Sequence, residues 1–312
     1  MSTLAVELVP GVGRRATTGW RTYVCLTLMV LIGSGTAPAA KLALRGLPVG
    51  LLPVLRFGIA GLCLLPLACK GGALAALFRN DWKRLLIAAA FCVPINQALF
   101  LNGTKLAPVS HTALIYAALP LVVLGLAAAL GQERLTRRRL LGVLASVVGL
   151  AVIAEGASRP GGVSAPGVLL GDLFLVGAVT SWGVYVTVSK PLVTRHGAIP
   201  SLAATFLAGS LLTVPIALAT TPEWPPLAGI STRAWQGMIY LTLIVTVVGL
   251  AFQNQALRRL DASHVTTVGN VAPVLTVLWG VWFFDDPFTP SLAVGGALTV
   301  GGALWASLSA VR

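Results

Sequence analysis

Charge is scarce in this sequence. Of its 312 residues only 10% are Asp, Glu, Lys or Arg, where a soluble domain carries about 25%. So few charges cannot coat a water-facing surface of this size, which argues against a soluble globule and places the chain in a bilayer. Acids are scarcer still. The nine are Glu7, Asp81, Glu133, Glu155, Asp172, Glu223, Asp261, Asp285 and Asp286, in the N-terminal tail, in loops or near the ends of apolar runs. No carboxylate relay is therefore expected at mid-membrane. Cysteine is limited to Cys25, Cys63, Cys69 and Cys92, without a C-x-x-C spacing. That argues against a thiol metal or redox centre and leaves small apolar packing as their role. No G-x-x-x-x-G-K-[ST] sequence is present, so ATP hydrolysis is not expected. The formal charge of +13 does not point to nucleic acid, because the basic residues sit in short loops and form no stripe.

What the sequence has in abundance is apolar length. Ten apolar runs near 20 residues read as spans: 22–44, 49–69, 83–102, 107–130, 138–155, 168–190, 200–220, 234–257, 262–284 and 290–310. The lipid bilayer is thus the chain's surroundings, and the fold expected is an all-α integral membrane protein of ten transmembrane helices. Lys and Arg divide unevenly between alternate connecting segments. With the N-terminus inside, fifteen fall inside and four outside, and Lys41, Arg56 and Lys190 lie in spans. The bias places both termini in the cytoplasm.

The chain also repeats itself. SHTALIYAALPLVVLGLAAALGQERLT, from Ser110 to Thr136, and SHVTTVGNVAPVLTVLWGVWFFDDPFT, from Ser263 to Thr289, align without a gap at a shift of 153. A shift of 149 carries Lys41 to Lys190, Phe57 to Phe206 and Pro66 to Pro215. Ala37-Pro38-Ala39 imitates a signal-peptide cleavage site, but the repeat pairs this run with an internal helix, so it is expected to be retained. Five spans per copy is odd, so the second copy must be inverted. The basic cluster at Arg134, Arg137, Arg138 and Arg139 has no charged counterpart after the ninth span, while Lys105 and Leu106 become Arg258 and Arg259. Inverted repeats of this kind mark secondary transporters with a site between the halves. The expected organisation is a tail over 1–20, a first repeat over 21–155, a periplasmic linker over 156–167 and a second repeat over 168–312.

The motif SHTALIYAALP followed by GQERLT, with KLALRGLPVGLLPVLRFGIAGLCLLPL from Lys41 to Leu67, resembles the EamA domain of the drug/metabolite transporter superfamily. The second copy departs from it: FDDPFT replaces E-R-L-T, and Thr205 stands where the first copy has Arg56. The resemblance implies a carrier of the bacterial inner membrane that exports amino acids or other small metabolites. It also implies a central cavity lined mainly by helices 1, 3, 4, 6, 8 and 9, with helices 5 and 10 towards the outside.

Polar residues inside spans are the candidate site. Amides are costly against lipid and should face protein or a wet cavity. Asn96, Gln97, Tyr116, Trp182, Tyr185, Gln253, Asn254 and Asn270 describe a mostly neutral pocket with aromatic walls, and interhelical hydrogen bonding is their plainer role. Lys41 and Lys190 close helices 1 and 6. Either they offset the helix dipole, or Lys41 draws in a substrate carboxylate. Arg56 is expected to bond loop carbonyls or a helix end rather than substrate. His111 and His264 are the candidates for proton coupling, against a structural bond to nearby backbone. Pro38, Pro94, Pro120 and Pro273 should kink their spans. Gly142, Gly149, Gly295 and Gly302 should allow close helix packing. An embedded hydrolase is disfavoured, since Ser110 and His111 are adjacent on a helix and point about 100° apart. No metal or cofactor is implied, and a monomer is the expected working unit. A nucleotide-sugar or phosphorylated-metabolite exchanger is the alternative carrier, and it would want several cations at one site.

Overall fold

The computed structural model describes residues 20–129, 167–221, 229–257, 271–286 and 288–308, together with 226, 265 and isolated positions between 137 and 152. Among these residues all regular structure is helical. Seven stretches are long and apolar enough to cross a membrane: Val24–Ala43, Leu51–Ala68, Trp82–Leu106, Val109–Ala129, Val168–His196, Ala198–Thr220 and Thr232–Leu257. The expected ninth and tenth spans appear as helices Val271–Phe284 and Pro290–Leu308. Most of the expected fifth span, 138–155, lies outside the described residues. Leu62, Leu211, Leu218 and Trp282 are more than half exposed, an apolar outer surface suited to lipid rather than water.

Several spans are built from two pieces. The first consists of α1 (Trp20–Ser34) and α2 (Thr36–Ala43), then α3 (Leu51–Ala68) follows as one piece. After the short α4 (Ala73–Asn80) come α5 (Trp82–Cys92) and α6 (Pro94–Leu106), then α7 (Val109–Tyr116) and α8 (Leu119–Ala129). Each break lies just before a proline: Gly35 before Pro38, Val93 before Pro94, Ala117–Ala118 before Pro120. Proline has no N–H and clashes with the turn before it, so the ladder opens there. Partners from elsewhere take over the freed carbonyls. Ser34 O accepts from Thr276 Oγ1 at 2.8 Å, and Phe91 O from Ser181 Oγ at 2.8 Å.

The later helices are α9 (Val168–His196), α10 (Ala198–Thr220), α11 (Thr232–Ile239) leading through a π-helical stretch at Tyr240–Gly249 into α12 (Leu250–Leu257), α13 (Val271–Phe284) and α14 (Pro290–Leu308). The expected helix end at Lys190 is corrected here: α9 runs through Pro191 to His196. One lost hydrogen bond does not stop a helix supported by neighbours in a membrane.

Packing follows the repeat. α3 lies against α10, and α7 against α13. α5 and α6 pack on α9, while α1 packs on α12 and α2 on α11. Exchanging the two copies leaves this scheme unchanged. Gly149 meets the last helix, where an added Cβ would sit 2.5 Å from Gly295 O and 2.7 Å from Thr299 N. One end of the bundle is drawn tight. A Cβ on Gly171 would meet Ala107 N and Leu106 Cβ at 2.9 Å each, and one on Gly50 would meet Thr220 Oγ1 at 2.5 Å. The core has two main parts. One centres on Phe57 and Phe206, with ring centroids 5.3 Å apart; the other on Phe100, Leu101, Leu175 and Leu241.

Candidate functional site

A cavity of about 210 Å³ lies where the broken spans meet. A single water needs roughly 10–15 Å³ of such space, so this cavity has room for a small molecule. α1 and α2 line it with Met29, Gly33 and Thr36, α6 with Asn96, Gln97 and Phe100, and α7 with Thr112 and Tyr116. Trp182 comes from α9, Val245 from the π-helical stretch, Gln253 from α12, and Ala272 and Thr276 from α13. Arg56 of α3 completes the wall. Among the described residues no Asp or Glu lines it.

Part of the polar wall is one hydrogen-bonded chain. Asn96 Nδ2 donates to Ala178 O at 2.8 Å, and Gln97 Nε2 donates to Asn96 Oδ1 at 2.8 Å. Arg56 Nη1 donates to Gln97 Oε1 at 3.3 Å, and its Nε to Thr246 Oγ1 at 2.7 Å. Thr246 Oγ1 in turn donates to Leu241 O at 2.7 Å, five residues back, as the wider π-helical turn permits. The chain ties α3, α6, α9 and the π-helical stretch together. It corrects the expectation for Arg56: the guanidinium meets side chains in the cavity wall, not loop carbonyls or a helix end. A buried charge cannot be left unsolvated, and these side-chain oxygens are the polar atoms at that depth.

The aromatic wall is supported from behind. Trp182 faces the cavity while Tyr185, only 1% exposed, packs against it with ring centroids 4.9 Å apart. Phe100 and Tyr116 meet edge to face at 5.7 Å. Tyr185 is thus a second layer, which corrects its expected place in the lining. Asn254 is also behind the wall. It is buried, its Nδ2 donates to Leu250 O at 3.0 Å, and Gln253 beside it reaches the cavity instead. Adjacent helical positions point about 100° apart, and here it is Gln253 that turns to the cavity.

Lys41 is not in the lining either. Its Nζ donates to Ala107 O at 3.3 Å and lies 5.8 Å from the centre of the Phe284 ring. This bond ties the end of α2 to the turn before α7, near the tight end of the bundle. Asn270 and His264 lie outside the described residues.

His111 bonds a carboxylate rather than nearby backbone. Its Nδ1 sits 3.1 Å from both oxygens of Asp172, and both residues are buried. Asp172 is only one turn into α9, but α7 packs against that turn and covers it. Asp286 is buried as well and accepts the Ser110 N–H at 2.9 Å, capping the start of α7. Neither contact has a local signal, because the partners are 61 and 176 residues apart.

Comparison with known proteins places this geometry among transporters. The model of the EamA-like transporter family matches residues 20–154 and 169–308. The uncharacterized transporter YetK of Bacillus subtilis is 25% identical over 282 residues, covering 90% of this chain and 84% of that one. A protein described as a probable terminal-alkyne amino-acid exporter, from Streptantibioticus cattleyicolor, is 27% identical over 89% of this chain and 91% of its own. The aromatic amino acid exporter YddG of Ancylobacter novellus is 28% identical over 89% and 94%. A crystal structure of 25% identity superposes with a TM-score of 0.68, covering 93% of this chain and 97% of that one.

Proposed function

The chain belongs to the EamA-like transporter family, and from that premise we propose that it exports small amphipathic metabolites, amino acids foremost, across the bacterial inner membrane. The observation that carries this reading is the cavity itself. It lies between the two copies of the repeat, and its wall combines the amides Asn96, Gln97 and Gln253 with the aromatic rings of Phe100, Tyr116 and Trp182. Such a wall suits a molecule with one polar end and one apolar body. The two amino-acid exporters among the relatives support it.

In this reading ten spans form two inverted halves, with both termini in the cytoplasm and a single chain as the working unit. The proline breaks in α1–α2, α5–α6 and α7–α8 are the hinges, absorbing the change between inward- and outward-open forms. Asn96, Gln97, Tyr116 and Trp182 hold the cargo, joined by Asn270 from the second copy. A phosphorylated or nucleotide-sugar cargo is disfavoured, because Arg56 is the one cation lining the cavity among the described residues.

The His111–Asp172 pair favours a second mode of drive, in which proton uptake accompanies transport, with His264 the matching site in the second copy; otherwise the substrate gradient alone drives export. The test is tracer flux in liposomes, with candidates taken from a growth screen of an overexpressing strain against amino acids and toxic analogues. Saturable flux of an amphipathic amino acid is expected. Turnover of a substrate without flux, or flux of sugar nucleotides only, overturns the reading. A flux that no pH gradient alters returns His111 to a structural role.

A further inference from the structure

We infer that Arg56 is the anion site of this cavity and takes the carboxylate of an amphipathic monocarboxylate, without a matching site for an ammonium group. The inference rests on the reading of the cavity as the cargo site. Arg56 is only 4% exposed, yet it lines the cavity. A guanidinium stays protonated under all ordinary conditions, so this is a buried full charge. A buried charge without a counter-ion is strongly unfavourable unless something compensates it. Among the described residues no carboxylate forms an ion pair with Arg56.

Among the described residues its hydrogen-bond partners are two neutral oxygens, Thr246 Oγ1 and Gln97 Oε1, and its guanidinium carbon lies 4.9 Å from the centre of the Phe57 ring. A guanidinium has five N–H donors. Among the described residues those two hydrogen bonds use two of the five donors, and the N–H groups that remain can receive a carboxylate in bidentate fashion. The chain from Ala178 O through Asn96 and Gln97 fixes the orientation from one side, and Thr246 fixes it from the other. A group needed only to join helices does not require a permanent charge, since a Gln would bond the same oxygens. Tyr116 and Trp182 line the same cavity and supply an apolar wall for the rest of the molecule. Among the described residues the same wall offers no acid to an α-ammonium. Specificity should therefore read the carboxylate, and an acid without an amino group should bind as well as the amino acid.

The experiment measures equilibrium binding to the purified full chain in detergent with three probes: L-phenylalanine, 3-phenylpropanoate and 3-phenylpropanamide. Wild type is expected to bind the two carboxylates within about threefold of each other and the amide about 10- to 100-fold more weakly, as for a lost charge-assisted bond. Arg56→Gln should lose that preference, and Arg56→Lys should recover part of it. Circular dichroism and gel filtration establish that each variant is folded, and the wild-type comparison stands without them. Equal wild-type affinity for acid and amide, no saturable binding of 3-phenylpropanoate, or undiminished carboxylate affinity in folded Arg56→Gln overturns the assignment. Carboxylate binding without flux in liposomes would sink the export reading and leave the anion site standing.

Discussion

Pro38 has no N–H, so the carbonyl of Ser34, four residues earlier, lacks a partner in its own helix. Thr276 supplies one from α13, and Trp279 Nε1 reaches the Ser34 hydroxyl at 3.2 Å. Thr276→Val keeps the shape and removes the donor. It should lower unfolding stability by about 1–2 kcal/mol, measured by denaturation in mixed micelles, while Thr276→Ser should stay near wild type. At this scale the sequence was legible where cost forced the answer. Asn96, Gln97, Tyr116 and Trp182 could be singled out because polar groups in lipid are expensive, and they line the cavity. Tyr185, Asn254 and Lys41 carried the same signal but face elsewhere, because a span's composition does not set its rotation. Arg56 was read as a helix-end group, since no local pattern shows that Thr246, 190 residues away, would stand opposite.

Between elements, the clearest clamp joins the start of α5 to the end of α9. Asp81 accepts from His196 Nε2 at 2.8 Å and from Arg195 Nη1 at 3.1 Å. The hydrogen bond from His196, more than the nearby Arg195 charge, holds the Asp81 carboxyl below its ordinary value of 3.8. A depressed folded value means that the unfolded chain binds the proton more readily. The stabilisation is therefore complete above the unfolded value and disappears as pH falls through the lower, folded one. Wild type should lose thermal stability as pH falls below about 4. Asp81→Asn should be less stable at neutral pH and show a shallower decline over that interval, a difference readable in melting curves. The α9 end was misjudged in sequence: it was placed at Lys190, whereas α9 runs on through Pro191 to His196.

For the molecule as a whole, the repeat made duplication legible before any coordinates, since two gapless shifts can arise only from copied architecture. The pairing of copies was not legible, because contacts between spans lie far beyond any local period. The charge asymmetry predicts that the segment 156–167 faces the outside. In a background lacking Cys25, Cys63, Cys69 and Cys92, a cysteine at Ser164 should react with an impermeant maleimide in intact cells, and one at Gln132 should not. The reverse pattern would contradict the orientation. The halves are also bonded through their backbones. Ser181, Ser210 and Thr276, all in the second copy, donate to the carbonyls of Phe91, Val54 and Ser34 in the first, and Asn96 returns a bond to Ala178 O. A five-helix unit made alone would lose these cross-bonds, and the Ser34 and Phe91 carbonyls at its proline breaks would lack those partners in the bilayer. The duplicated gene therefore has no way back to a single copy. Each half can drift only as far as the other's hydroxyls still reach, and that ties the evolution of the two halves together at positions that never touch cargo.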